Sequence, residues 1–299
     1  MPVPTLWMLP DLPAFARWSV AVRDAGSGAV LAADHPDQLQ LTASIGKLFL
    51  LVEVAARLAE GALDPEEPLT WTAEEHVADS AVWYWMDRRA LGVRDLCVLV
   101  GAFSDNLATN VLLRRVGLAA VQARAAALGC TRSTLLDRTR LRRTPADPPT
   151  LSVGTAAELS AVLADLHRGA VVSAAVSAQV LAWLAANADL SMVAAAFDLD
   201  PLAHAEPDRG VTLVNKTGTI ATARGEILAL LLRLKRDLGL GALVITHDLG
   251  LAWNIADRVL VMHRGRVVES GRVEQVLLDP QHDYTRSLLA VVPSELGRR

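Results

Sequence analysis

A serine and a lysine three residues apart, at the start of an apolar helix, form a pair able to do nucleophilic chemistry. In Thr42-Ala43-Ser44-Ile45-Gly46-Lys47 the run that follows is helical in period, with charges at Glu53, Arg57 and Glu60 and a stop at Gly61. Ser44 and Lys47 then share a face one turn apart, and the free N–H groups of the first turn point at the same spot. A serine so placed is a candidate nucleophile, with the amine as its base. Lysine is also scarce: only three of the 29 basic residues are lysines, Lys47, Lys216 and Lys235. Arginine keeps its proton in a protein whereas a desolvated lysine gives it up, so lysines kept against an arginine background are candidates for chemistry. Lys235, in Leu231-Leu232-Arg233-Leu234-Lys235-Arg236, reads as surface charge.

The elements that must position this pair can be read along the chain. Trp18 to Arg23 and Ala29 to Ala32 alternate around Asp24-Ala25-Gly26-Ser27-Gly28 and predict a hairpin before a mostly buried Ser44 helix with one wet edge. Leu63 to Glu75 reads as surface loop. Trp71, Trp83, Tyr84 and Trp85 read as core, with a pocket wall as the less favoured alternative. Two helices, Val93 to Val100 and Leu107 to Val116, flank Ser104-Asp105-Asn106, where Ser104 or Asp105 can be an N-cap. Ala119 to Leu128 is a further helix, and residues 137–150, with four arginines, three prolines and no period, form a surface loop. Ser152-Val153-Gly154-Thr155 caps the next helix, with Glu158 in the first turn, and the helical region continues from Ala174 to Asn187. Val211 to Ile220, rich in β-branched residues, is a strand that carries Lys216, with Gly218 where another backbone or a ligand comes close.

Three motifs thus stand in order: Ser44-x-x-Lys47, Ser104-Asp105-Asn106 and Lys216-Thr217-Gly218. In this order and context they resemble the class A β-lactamase and penicillin-binding-protein superfamily of serine acylases, over roughly residues 15–226. The resemblance implies an α+β fold, a β-lactamase-like mixed α/β sandwich in which an antiparallel sheet packs on a helical domain with the Ser44 helix at its centre. It implies roles as well: Ser44 attacks a β-lactam or related amide carbonyl, Lys47 takes the proton and Ser104 relays it to the leaving nitrogen. Asn106 holds the substrate amide, Lys216 and Thr217 receive its carboxylate, and the backbone N–H groups of Ser44 and Thr219 make the oxyanion hole. One departure matters: where class A enzymes carry Leu-Asp-Arg-x-Glu, this chain has Leu136-Asp137-Arg138-Thr139-Arg140, and arginine cannot activate the deacylating water. Acylation with poor turnover is the expectation.

The C-terminal part follows another pattern. Ile227 to Leu240 reads as an amphipathic helix, Ala242 to Leu249 as a buried strand with a polar end at His247, and Arg258 to Glu269 as a hairpin. With Asp279-Pro280-Gln281-His282-Asp283-Tyr284 they resemble the C-terminal end of the ATP-binding subunit of oligopeptide or dipeptide ABC transporters, in which His247 falls at the switch histidine. Gly46-Lys47 fails the phosphate-loop pattern, so ATP binding is not expected and His247 reads as a capping or buried histidine. The domains expected are therefore 1–226, the acylase-like part, and 227–299, a transporter-derived fragment that completes the truncated fold or is fused to it. The alternative function is a non-catalytic fusion that docks through its tail. At least one tail strand is expected to pair beside the Lys216 strand, because an open apolar edge is aggregation-prone.

Composition bounds the rest. With 299 residues and 52% hydrophobic content the chain can bury substantial cores, and a net charge of −4 does not suit nucleic acid. Cys97 and Cys130 cannot make a disulfide framework or a zinc site, and neither a metal nor another cofactor is expected. No segment reaches the ~18 apolar residues of a membrane span, and Met1 to Trp7 lacks a signal-like pattern, so the chain reads as cytoplasmic.

Overall fold

The computed structural model describes residues 9, 11–12, 14–77, 79–197, 199–202, 211–232, 258–263 and 266–290. The chain divides into two units, Met1–Gly239 and Leu240–Arg299. In the first, β1 (Val20–Arg23) pairs antiparallel with β2 (Val30–Asp34), as the alternation predicts. A short β3 (Gln40–Leu41) leads into a 3-10 turn, Ala43–Gly46, and then α1 (Lys47–Ala59). Residues Lys47 to Ala56 are all buried. The helix is thus covered on every side, by α2 (Val93–Phe103), α3 (Asn106–Val116), α4 (Leu118–Ala127) and α6 (Ala174–Ala185). Glu53, read as part of a wet edge, is buried, and the cause is pairing: its carboxylate accepts from Arg57 Nε at 2.7 Å and Arg124 Nε at 2.8 Å.

Several short elements escape periodicity. Within the stretch read as loop, β4 (Pro68–Thr70) pairs with β5 (Ala90–Gly92). The small sheet β3-β7-β6 joins Gln40–Leu41 to Ser152–Gly154 and Thr134–Leu135. Strands of two or three residues are too short to show a period of two. Ser152–Gly154 is therefore strand, and Thr155 is the N-cap of α5 (Ala156–His167), accepting from Glu158 N at 3.2 Å.

The hairpin β8 (Val211–Ile220) and β9 (Ala223–Leu232) corrects the helix expected from Ile227: residues 227–232 are strand, paired with Lys216 back to Val211. Ile227 to Leu232 is apolar at every position, a pattern that cannot separate a helix from a strand covered on two sides. The backbone donors and acceptors of β8 settle it, since a buried strand without a partner leaves them unpaired. Ile227 and Ala229 enter the main core, while Leu228 packs with Leu190 and Leu213. The partner of the Lys216 strand is thus β9. Residues 233–257, including Lys235, the strand expected at Ala242 to Thr246, and His247, lie outside the described residues.

The second unit contains the expected hairpin, β10 (Arg258–His263) with β11 (Arg266–Arg272), followed by α7 (Val273–Leu278) and α8 (Asp283–Ala290). Its own core is Val261, Val273, Val276 and Leu277, flanked by Tyr284, which stacks on His263 at 3.9 Å between ring centroids.

Candidate active site

The turn before α1 puts Ser44 at a half-buried position and Lys47 at a fully buried one. Lys47 Nζ donates to the Ser104 carbonyl at 2.6 Å and to Asn106 Oδ1 at 2.7 Å, and lies 3.2 Å from Ser104 Oγ. The Asn106 amide is oriented by its other end, where Nδ2 donates to the Asp79 carbonyl at 2.7 Å. Ser104 reaches Lys47 because it ends α2 in the left-handed region, φ +56°, uncommon for a residue with a side chain. Asp105 is the structural member of the motif: it caps α3 by accepting from Ala108 N at 2.8 Å and holds Trp83 N at 2.9 Å.

Lys47 is held well below the ordinary lysine value, first by burial and then by the charge of Lys216, against the opposing pull of Asp105. A neutral amine has two N–H bonds and one lone pair. The Ser104 carbonyl and Asn106 Oδ1 can only accept, so a neutral amine would give them its two N–H bonds and turn its lone pair to the Ser104 hydroxyl, which accepts from Nζ when the lysine is charged. Held this way, Lys47 can receive a proton.

Lys216 is fully buried on β8 and lowered to about 8, mainly by burial, with Asp189 opposing. Its Nζ donates to the Thr217 carbonyl at 3.0 Å. The Thr217 hydroxyl donates to Asp189, whose carboxyl is held below the usual range although burial pulls the other way, because Ser191 and Thr217 donate to it and Lys216 lies nearby. Gly218 joins strand to turn: a Cβ there would collide with the Thr42 carbonyl, stand 3.0 Å from Ser44 N and 3.1 Å from Ile45 Cγ1. Thr219 is exposed. Ser44, Lys47, Ser104, Asn106, Lys216 and Gly218 therefore converge, while the Thr217 hydroxyl is turned to Asp189. We expect Gly218→Ala to reduce acylation by about 100-fold or more, since displacing β8 by ~1 Å misaligns the reacting groups; labelling kinetics with a fluorescent penicillin, beside circular dichroism, would check it.

Sequence reasoning missed Asp189, Asn110 and Ser152. Asn110, one turn after Asn106, binds loop 136–150 to α3: its Oδ1 accepts from Thr139 N at 2.9 Å and its Nδ2 donates to the Thr139 carbonyl at 3.1 Å. Only the i, i+4 spacing from Asn106 hints at this. Arg140 is turned into the loop itself, with Nε 2.6 Å from Asp137 and Nη1 3.0 Å from Asp147. Of the aromatics, Trp83 is core at 0% exposure, as the core reading expects, and Trp85 stands out at 83%. Both cysteines are buried and free, Cys130 pushed up to about 12 chiefly by burial. Among the described residues no cluster of His, Cys, Asp and Glu could hold a metal ion, and no helix is long and apolar enough to cross a membrane.

The fold, with a serine and a lysine at the head of its central helix, is that of a class A β-lactamase. The chain belongs to the β-lactamase enzyme family, whose model matches residues 13–246. Among solved structures it is similar to the β-lactamase of Sphaerobacter thermophilus DSM 20745 (TM-score 0.60, 23% identity, 71% of this chain and 76% of that one). It is similar too to an ancestral (GNCA) class A β-lactamase, that of the last common ancestor of Gram-negative bacteria (TM-score 0.56, 27% identity, 71% and 78%). The L158E mutant of PBP-A, an acyl-enzyme complex with penicillin G, shares the fold at 19% identity and TM-score 0.59, over 71% of this chain and 75% of that one. A second likeness is to a different protein. Over 81 residues, 27% of this chain, there is 49% identity to the glutathione import ATP-binding protein GsiA of Escherichia coli K12. The chain spans 13% of the length of that curated relative.

Proposed function

We propose that this protein is a serine acylase that forms an acyl-enzyme at Ser44 with β-lactams or related amides. The observation that carries the reading is the buried Lys47 amine, lowered by desolvation and Lys216, held by Ser104 and Asn106 one turn from Ser44. Lys47 is the base, Ser104 passes the proton to the leaving nitrogen, Asn106 offers its remaining amide N–H to the substrate, and Lys216 receives the substrate carboxylate, which the Thr217 hydroxyl joins on turning from Asp189. Ser44 N and Thr219 N are the oxyanion donors. The reaction needs no cofactor. The test is intact-mass detection of a covalent adduct after incubation with a fluorescent penicillin. We expect one adduct per chain in the parent and none in Ser44→Ala; labelling that persists in Ser44→Ala would sink the reading.

We further propose that residues 1–226 and 227–299 have different origins, the second from a transporter ATP-binding subunit; the tail motifs and the 49% identity to the glutathione import ATP-binding protein support this, although its 81 aligned residues exceed the tail's 73. On this reading the tail lent residues 227–232 to β9 and does not hydrolyse ATP, because the chain has no phosphate-binding loop. A fusion that only docks through its tail is the second reading, and absence of any adduct would favour it.

A further inference from the structure

We propose that Ser152 aims the backbone N–H of Ser44 and is the positioning residue of the oxyanion site; the inference rests on the acylase reading above. Ser152 is fully buried on β7. Its hydroxyl donates to the Ala43 carbonyl at 2.6 Å and stands 2.7 Å from Thr42 Oγ1. A carbonyl can only accept, so the Ser152 proton goes to Ala43 and Thr42 supplies the proton between the two hydroxyls. The direction of this buried relay is thereby fixed, from Thr42 to Ser152 to the Ala43 carbonyl.

That carbonyl and the Ser44 N–H belong to one planar peptide unit and point opposite ways. Fixing the carbonyl therefore aims the N–H. The aim needs holding, because Ala43 sits at φ +47°, which residues with a Cβ rarely adopt. A hydrogen bond to the carbonyl also polarises the peptide and strengthens its N–H as a donor. Support comes from two more contacts: Thr42 N donates to the Ser152 carbonyl at 3.2 Å, and Gly46 is bare where a Cβ would strike the Ser152 side chain. Ser152 thus backs the turn from the side away from β8.

The test compares the parent with Ser152→Ala, Ser152→Thr and Thr42→Val. For each, acylation by a penicillin is resolved into the binding constant and the first-order acylation rate, and affinity for an aryl boronic acid, which forms a tetrahedral adduct, is measured separately. In Ser152→Ala we expect the acylation rate to fall about 10- to 100-fold and the boronic acid to weaken in parallel, less than or equal to the loss from deleting an oxyanion donor outright. Initial penicillin binding should change by less than about twofold, since the ground-state carbonyl uses the oxyanion donors least. Thr42→Val, which removes the proton donor and nearly keeps volume, should show a smaller loss of the same kind, and Ser152→Thr should restore the rate. Unchanged acylation and boronic acid affinity in Ser152→Ala, or in Thr42→Val where Ser152→Ala fails to fold, overturns the inference, as does a loss confined to initial binding. A parent that forms no adduct overturns the acylase reading and this inference with it, and is told apart by the parent alone.

Discussion

Lys47→Arg is expected to acylate as slowly as Lys47→Ala, each about 100- to 10,000-fold below the parent, the span a positioned base contributes. The substitution replaces an amine that can give up its proton with a guanidinium that does not ionise in a protein. Burial, and after it the charge of Lys216, push the Lys47 amine toward its neutral form, against the opposing pull of Asp105. The pH profile follows from the two lysines with opposite requirements. Lys47 must be neutral, which gives a rising limb at a pH well below the ordinary lysine value. Lys216 must be cationic to hold the substrate carboxylate, which gives a falling limb near 8. Acylation should therefore be bell-shaped, its alkaline side set by Lys216. Rates of penicillin labelling across pH for the parent and both variants check this; Lys47→Arg within about threefold of the parent, well under the factor a base contributes, would reduce Lys47 to an electrostatic or structural group.

How much of this was readable before any coordinates depends on what kind of signal each residue leaves. The three motifs could be found because local backbone geometry fixes their spacing: one helical turn from Ser44 to Lys47, a helix junction at Ser104 to Asn106, consecutive strand residues from Lys216 to Gly218. Asp189 and Ser152 act through long-range contacts. Asp189 meets Thr217 and Lys216 from the loop after α6, and Ser152 meets Ala43 across 109 positions, so neither carries a local period. The fold was legible where elements are long, as in α1 and β8. It failed at β4 and β7, which are three residues each, and at β9, where an apolar run of helical appearance was claimed by an unpaired strand. Tertiary pairing overrode local preference there, as it does wherever buried backbone groups need partners.

The acyl-enzyme, once formed, is expected to persist, so nitrocefin should give a burst of about one product per chain and then turnover far below the 1–1,000 per second usual for enzymes, on the order of less than 0.01 per second. Deacylation needs a base for water, and four carboxylates of the site and its loop, Asp105, Asp189, Asp137 and Asp147, are already committed. Asp105 accepts from Ala108 N and Trp83 N, and Asp189 from Ser191 and Thr217. In the loop, Asp137 is held low by Arg140 and Arg143 despite the raising effect of burial, and Asp147 by the Thr144 backbone and hydroxyl, then Arg140. Asp137, Asp147 and Asp189, held low by their donors, are poor bases, because proton affinity is what the donors reduce. Arg140→Glu is expected not to restore turnover, although it rewrites the sequence toward Leu-Asp-Arg-x-Glu. Position 140 faces Asp137 and Asp147, so a glutamate there would meet two like charges and leave Asp137 with Arg143 alone. Intact-mass measurement after removal of excess penicillin reads the adduct's lifetime directly. Sustained turnover above about 1 per second, in the parent or in Arg140→Glu, would require a base that these contacts leave unaccounted for.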